Sequence, residues 1–294
     1  MIGSILLRAL NPFAMMRHVR AAKLRRHDVG VETELQLYHD MLGSDFLHAG
    51  YFRQIPEDPE AISIRDVKQA MQAYADLVLD RITPGLRVLD VGCGLGGLLR
   101  QMRDRGLDCT GLTPSAAHAD YIRRRNPDIP VIVGTFEQCD LAPYRHAFDL
   151  VTSTESFHNV PLDAGLRNMR EVLKPDGRWI SVDYFRLHEK TYNRSGHLLS
   201  AYQEAIARHG FRVTEEVDIS LNTLPTLAFA NVLATKVGVP LLEFGLARYF
   251  RKHPALEYLL QDAVAKARGR LRTDALDPAV ATRDKRYLLQ QLVP

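Results

Sequence analysis

The segment Val88-Leu89-Asp90-Val91-Gly92-Cys93-Gly94-Leu95-Gly96-Gly97 constrains this chain more than any other stretch. Apolar residues around a single acid read as a short buried strand. The four glycines that follow let the backbone turn sharply and approach a ligand with no Cβ in the way. A strand, a tight turn and then a helix N-terminus present backbone N–H groups to a bound molecule. Taken through Gly92, Gly94 and Gly97 the spacing is G-x-G-x-x-G, a pattern that also fits a dinucleotide site. The turn therefore points to an α/β class while leaving the ligand open.

Downstream, short β-branched runs alternate with longer helical patterns, as in βα units that build a parallel sheet. Strands are expected at 86–91, 108–112, 130–134, 148–153, 178–184, 212–219 and 285–292. Helices are expected to begin near Gly96, Ser115, Leu162 and Ser195, with Pro175-Asp176-Gly177 turning into the fifth strand. This is a Rossmann-like, seven-stranded, mainly parallel sheet with helices on both faces.

Two regions lie outside the alternation. Residues 1–84 read as an N-terminal helical cap, with helix-spaced apolar residues over 31–42 and 63–79. Within the main domain, 85–294, the stretch 222–283 separates the last two strands, which as an antiparallel pair need only a short hairpin. An insertion of that size is a candidate lid. Its apolar run over 224–242 approaches the length of a membrane span, but Pro225, Asn231, Lys236 and Pro240 interrupt it, so an apolar cover over a pocket is expected instead.

Charge and cysteine content narrow the partners. Arg8, Arg17, Arg20, Lys23, Arg25 and Arg26 are met by no acid before Asp28; removing these six from the 38 basic residues leaves 32 against 35 acidic. A body of that balance argues against nucleic-acid binding. Residues 1–27 read as a packed helix, a transit peptide or a basic amphipathic helix on an anionic membrane, with Phe13, Met16 and Val19 as its apolar stripe. Peripheral membrane contact through 1–27 and a homodimer are thus the macromolecular partners to consider. Cys93, Cys109 and Cys139 lack the spacing of a disulfide framework or zinc site, which fits a reducing, cytoplasmic setting and no metal.

Two neighbours of the turn separate its readings. Asp90, at the tip of the first strand, repels a pyrophosphate but suits a cationic ligand. The acid that binds an adenosine ribose about 20 residues on in nicotinamide enzymes is missing, for the second strand ends Cys109-Thr110-Gly111-Leu112-Thr113-Pro114-Ser115. Here the chain resembles class I S-adenosylmethionine-dependent methyltransferases, in particular the branch with cyclopropane fatty acid synthases and tocopherol, sterol and prenyl diphosphate C-methyltransferases. The resemblance covers about residues 84–220. It implies S-adenosylmethionine as cofactor, held by Asp90, Gly92, Cys93, Gly94, Thr113, Pro114 and Thr154, with Thr135, Phe136 and Glu137 near adenine. Upstream, Leu42-Gly43-Ser44-Asp45-Phe46-Leu47-His48-Ala49-Gly50-Tyr51-Phe52 resembles an element that many small-molecule methyltransferases place over the cofactor. By that resemblance Tyr51 closes on the methionine end and Tyr38 assists.

After the fourth strand the chain reads Thr154-Glu155-Ser156-Phe157-His158-Asn159-Val160-Pro161. Sterol and tocopherol methyltransferases resemble it, with Glu six residues before Pro, although their His aligns with Asn159 and His158 stands one place earlier. Glu155, His158 and Tyr51 are therefore the catalytic candidates. Glu155 suits stabilisation of a cation formed when an alkene is methylated, and His158 suits a general base. The Asn/Asp-Pro-Pro-aromatic element of base-modifying enzymes is missing, as is an acidic cluster for a metal-assisted O-methyltransferase. The expectation is methylation of a small hydrophobic metabolite of isoprenoid, polyketide or lipid type, on carbon. Oxygen or nitrogen methylation of a small aromatic or amine, and a non-catalytic binding protein of this fold, are the alternatives.

Overall fold

The structure, a computed structural model, describes residues 39, 42–191, 193–270 and 276–294. The basic stretch 1–27, Tyr38 and nearly all of the helix expected over 31–42 lie outside the described residues.

Seven strands form one sheet in the order β3-β2-β1-β4-β5-β7-β6. They are β1 (Arg87–Val91), β2 (Asp108–Thr113), β3 (Val131–Val133), β4 (Phe148–Thr154), β5 (Leu173–Arg186), β6 (Arg212–Asp218) and β7 (Lys285–Val293). The first five run parallel, and β7 enters antiparallel between β5 and β6. Alternate residues supply two apolar layers. Leu89, Val91 and Val151 face a core closed by Leu166, Met169, Tyr202 and Ile206. Val88, Leu150, Ile180 and Val182 face another, closed by Tyr74, Val78, Leu99, Met102 and Ile122. Such burial on both faces is what a doubly covered parallel sheet requires.

The helices that cover the sheet are α1 (Ile64–Leu79), α2 (Gly97–Asp104), α3 (Ala116–Arg125), α4 (Leu162–Val172) and α5 (Leu199–Arg208). Ser63 starts α1 with a reciprocal capping box to Asp66, and Ser115 caps α3 through the His118 amide. Two boundaries differ from expectation by more than two residues. The fifth strand begins at Leu173, because Leu173 already pairs with Phe148 and the Lys174–Gly177 stretch is a bulge before Arg178 pairs with Leu150. The next helix begins at Leu199, because Ser195 serves a loop in which its hydroxyl meets Tyr184 Oη at 2.7 Å.

The insertion before β7 is helical: α6 (Ser220–Leu233), a π turn (Ala234–Gly238), α7 (Val239–Lys252), α8 (Pro254–Arg270) and α9 (Pro278–Asp284). The expected interruptions do not break its first half, which runs as one helix from Ser220 to Lys252 and is long and apolar enough to cross a membrane. Pro240 comes directly after the π turn, where the ladder is already displaced from its α pattern, so its missing donor falls at a position that tolerates it.

A strap over residues 45–52 ties the insertion to the sheet. Gly50 N–H donates to Thr226 Oγ1, Tyr51 N–H to the Ala70 carbonyl and Phe52 N–H to that of Asn222; Asn222 Nδ2 returns a bond to the Phe52 carbonyl at 2.8 Å. Phe52, Met71 and Phe229 seal this junction in a small core of their own. Asn222→Ala removes one of these partners from a half-buried carbonyl at a cost of about 1 kcal/mol. A fall in Tm of about 2–4 °C is expected in a thermal melt followed by circular dichroism.

Candidate active site

The carboxyl ends of the parallel strands open into a cavity of about 620 Å³. Its floor is the Gly-rich turn. Gly92, Gly94 and Gly96 all have positive φ, and a Cβ on Gly92 would lie 2.2 Å from the Ser156 Cβ, so this crossing admits no side chain. Gly97 opens α2 where the strap passes, and a Cβ there would come within 2.9 Å of the Asp45 carbonyl oxygen. Asp90 is buried at the tip of β1 and accepts a bond from Thr152 Oγ1 at 2.8 Å. Burial raises its carboxyl to about 6.

Of the residues expected to bind cofactor, Asp90, Gly92, Cys93, Gly94, Thr113, Pro114, Thr135, Phe136, Glu137 and Thr154 all line this cavity. Phe136 does so while packed into the core, and its carbonyl is held by Asn168 Nδ2. Thr113 Oγ1 accepts the Ser115 amide, which leaves its proton available to a ligand. Thr135 Oγ1 is buried with no partner among the described residues. The described lining contains four carboxylates, Asp45, Asp90, Glu137 and Glu155, and no Lys or Arg. That balance favours a cationic ligand and opposes a pyrophosphate.

Tyr51 is placed differently from expectation. It lines neither this cavity nor the one beside it, and packs against the core under α1 with its amide on Ala70. Leu47 and His48 take the place over the turn. The His48 ring stacks on Tyr74 at 4.0 Å, its Nδ1 donates to the Ala49 carbonyl, and burial lowers its pKa to about 4, so it is neutral at pH 7. Sequence reasoning missed His48, because its place depends on a stacking partner 26 positions further along the chain.

A second cavity, about 360 Å³, adjoins the first. Leu224, Leu227 and Ala230 of α6, Leu276, and Val280 of α9 give it an apolar wall, while Tyr184 and Tyr287 bring hydroxyls. Among the described residues only Glu155 lines both cavities. It has a positive φ of 49°, which is strained for a residue with a side chain. Its Oε1 accepts the Ala49 amide at 2.5 Å and the carboxyl also takes a bond from Tyr287. The exposure that remains to it is toward the cavities, and desolvation raises its pKa to about 7.

His158 points away from both cavities. Its Nδ1 donates to Asp183 Oδ1 at 2.7 Å, and its Nε2 lies 3.0 Å from Tyr184 Oη, which faces the second cavity. It therefore reaches the second cavity through Tyr184 and the first through Asn159, whose Nδ2 lies 2.9 Å from the same Nε2, an arrangement that depends on Asp183 of β5 as well as on its own segment.

With this geometry in view, residues 89–181 match the model of a methyltransferase domain. The chain carries a class I S-adenosylmethionine-dependent methyltransferase fold. It is 30% identical over 144 residues to a 2-methyl-6-phytyl-1,4-hydroquinone methyltransferase of Synechocystis, a match covering 48% of this chain and 45% of that protein. It is 29% identical over 206 residues to a glycine/sarcosine/dimethylglycine N-methyltransferase of Actinopolyspora halophila, covering 62% and 34%. The chain thus spans less than half the length of these relatives. A geranyl diphosphate C-methyltransferase from Streptomyces coelicolor, solved with Mg2+, geranyl diphosphate and S-adenosyl-L-homocysteine, superposes with a TM-score of 0.63 at 18% identity, over 84% of this chain and 90% of the other.

The raised pKa of Glu155 has a consequence for stability. An unfolded Glu titrates near 4.5, so between there and about 7 the folded chain binds the extra proton and folding loses stability as pH rises. The shift corresponds to roughly 3 kcal/mol at pH 8. Glu155→Gln is expected to raise Tm relative to the unsubstituted chain at pH 8 and to give little gain at pH 4.5, measured by calorimetry on ligand-free protein.

Proposed function

We propose that this chain transfers a methyl group from S-adenosylmethionine to a small, largely hydrophobic metabolite of isoprenoid, polyketide or lipid type, with carbon as the accepting atom. Glu155 carries the reading, because its carboxyl stands where the cofactor cavity meets the apolar one. The hydroquinone methyltransferase and the geranyl diphosphate enzyme, similar in sequence and in fold respectively, support a hydrophobic acceptor.

The first cavity fits the cofactor by its chemistry. Asp90 and the amides of the turn face the amino-acid end, Thr113 offers its hydroxyl to the ribose, and the unpartnered Thr135 Oγ1 with Phe136 and Glu137 suits adenine. Bound there, S-adenosylmethionine supplies a cationic sulfonium whose methyl is open to in-line displacement.

The residues of this chain then have separate tasks. The apolar wall from α6 and α9 holds the acceptor and keeps water away. Glu155 is held by the Ala49 amide and by Tyr287, so its oxygens need no rearrangement when charge develops. A cation nearby lowers its pKa from about 7 and favours the carboxylate. When an alkene carbon takes the methyl, the adjacent carbon becomes cationic opposite this carboxylate. Loss of a neighbouring proton to Glu155 restores the double bond.

One observation favours a second reading. The chain Asp183–His158–Tyr184 ends in a phenol at the second cavity, which is what deprotonation of an acceptor hydroxyl or amine needs. Methyl-labelled S-adenosylmethionine with a panel of prenyl, polyketide and lipid acceptors distinguishes the two by NMR of the product. Label on carbon is expected, with Glu155→Gln lowering kcat by about 10²–10⁴. Label on oxygen or nitrogen, with the loss following Tyr184→Phe, would overturn the carbon reading.

A further inference from the structure

The arm formed by α7 and α8 is the most apolar part of the described surface. Of the thirteen large hydrophobic residues that are exposed, Val237, Leu241, Leu242, Phe244, Tyr249, Tyr258, Leu259 and Leu260 fall within 24 positions of this arm, and Phe244 and Tyr258 are 65% and 74% exposed. Monomeric soluble chains rarely leave so dense a cluster of large apolar side chains in water without a use for it.

Charge indicates what covers it. Between residues 234 and 266 the sequence has Lys236, Arg248, Arg251, Lys252 and Lys266 against Glu243, Glu257 and Asp262, with Lys236 paired to Glu60. This is an excess of two positive charges, whereas the remainder of the body, 28–233 and 267–294, is net −5, so the arm is basic where the rest of the body is acidic. Apolar and basic side chains together on exposed helices match an anionic lipid surface, where the rings and aliphatic chains enter the headgroup layer and the cations meet phosphate. A second copy of the chain fits less well. An isologous contact sets the same surface against itself and buries Arg248, Arg251 and Lys252 of both copies, whereas interface cores are depleted of charge.

The same helix excludes a spanning arrangement. Its 18-residue apolar window is only 11% buried, but its beginning is fixed to the domain. Thr223, Pro225, Ala228 and Phe229 are buried, and Thr226 and Asn222 hold the strap. The helix can rest on a bilayer but cannot cross one while these contacts stand. Leu224, Leu227 and Ala230, on that fixed portion, wall the apolar cavity, so one continuous helix joins the cavity to the exposed arm.

We infer that the α7–α8 arm is a membrane-docking surface for anionic bilayers, lying in the headgroup layer and presenting the mouth of the second cavity to the lipid. This surface is distinct from the basic stretch 1–27. Its existence does not depend on the atom that is methylated.

Sedimentation of the full-length chain with phosphatidylcholine vesicles, with and without 30 mol% (about a third) phosphatidylglycerol, reads the surface directly. Binding is expected to the anionic vesicles, weaker to the neutral ones, and reduced by salt. Each basic residue near such a surface is worth about fivefold in affinity, so Arg248→Ala/Arg251→Ala/Lys252→Ala should weaken binding on the order of 100-fold. Leu241→Ser/Phe244→Ser should weaken it at least tenfold with an unchanged circular dichroism spectrum. S-adenosylmethionine affinity by calorimetry serves as the control that the fold of each variant is kept. Unchanged vesicle binding in both variants would overturn the proposal and assign any binding to another segment. So would a dimer in analytical ultracentrifugation that dissociates with Leu241→Ser/Phe244→Ser while vesicle binding is absent.

Discussion

At the carboxyl ends of β1 and β4 two backbone segments cross with no room for a single extra carbon. Gly92 stands against Ser156, and Ser156 Oγ donates to the Val91 carbonyl at 2.5 Å, locking the two strand ends together. Glu155, immediately before that serine, is consequently held at a positive φ that it would not adopt alone. The strain is repaid by position: the side chain is delivered to the boundary of two cavities and met there by the Ala49 amide and Tyr287. The glycine is therefore required both for a ligand's approach to the turn and for the geometry of the neighbouring strand.

Around this crossing the protein accumulates groups whose charged forms are disfavoured by desolvation. Asp90 rises to about 6, Glu155 to about 7, and His48 falls to about 4. The described lining holds no Lys or Arg to offset the two carboxylates, which are met instead by Thr152, the Ala49 amide and Tyr287. A cation in the cavity offsets them, because it restores to both acids the interaction that water supplied before folding. Ligand affinity and carboxylate ionisation are thus linked, so each proton released from Asp90 or Glu155 is accounted for in the binding of positive charge.

Much of the first cavity's lining was legible in the sequence because its information is local. A strand, a glycine turn and a helix occupy neighbouring positions, so spacing alone places the turn at Asp90, Gly92 and Gly94, while Thr113 and Thr135 follow from the resemblance that the ends of the next strands carry. Tyr51 illustrates the limit. The motif puts an aromatic near the cofactor, but three consecutive backbone bonds from Gly50, Tyr51 and Phe52 decide which way the strap faces, and their acceptors lie on α1 and α6. His158 illustrates the same limit, since its orientation depends on Asp183. The continuity of Ser220 to Lys252 was hidden for another reason: two prolines read as breaks, while a π turn beside Pro240 accommodates one of them.

The two cavities are built by different means, and this separates what is constrained from what is free to vary. The first is made of strand ends in a sheet whose residues are buried on both faces, so a change in Asp90 or Gly92 is felt by the whole core. The second takes its apolar wall from an insertion that, among the described residues, rests beside β7, at the end of β5, along the strap and on α1. Substitutions at Leu224, Leu227, Ala230 or Val280 reshape the second cavity without touching the turn. The lining supplied by the insertion can therefore change while the Gly-rich turn stays fixed, which is why that turn defines a family more sharply than it defines a substrate.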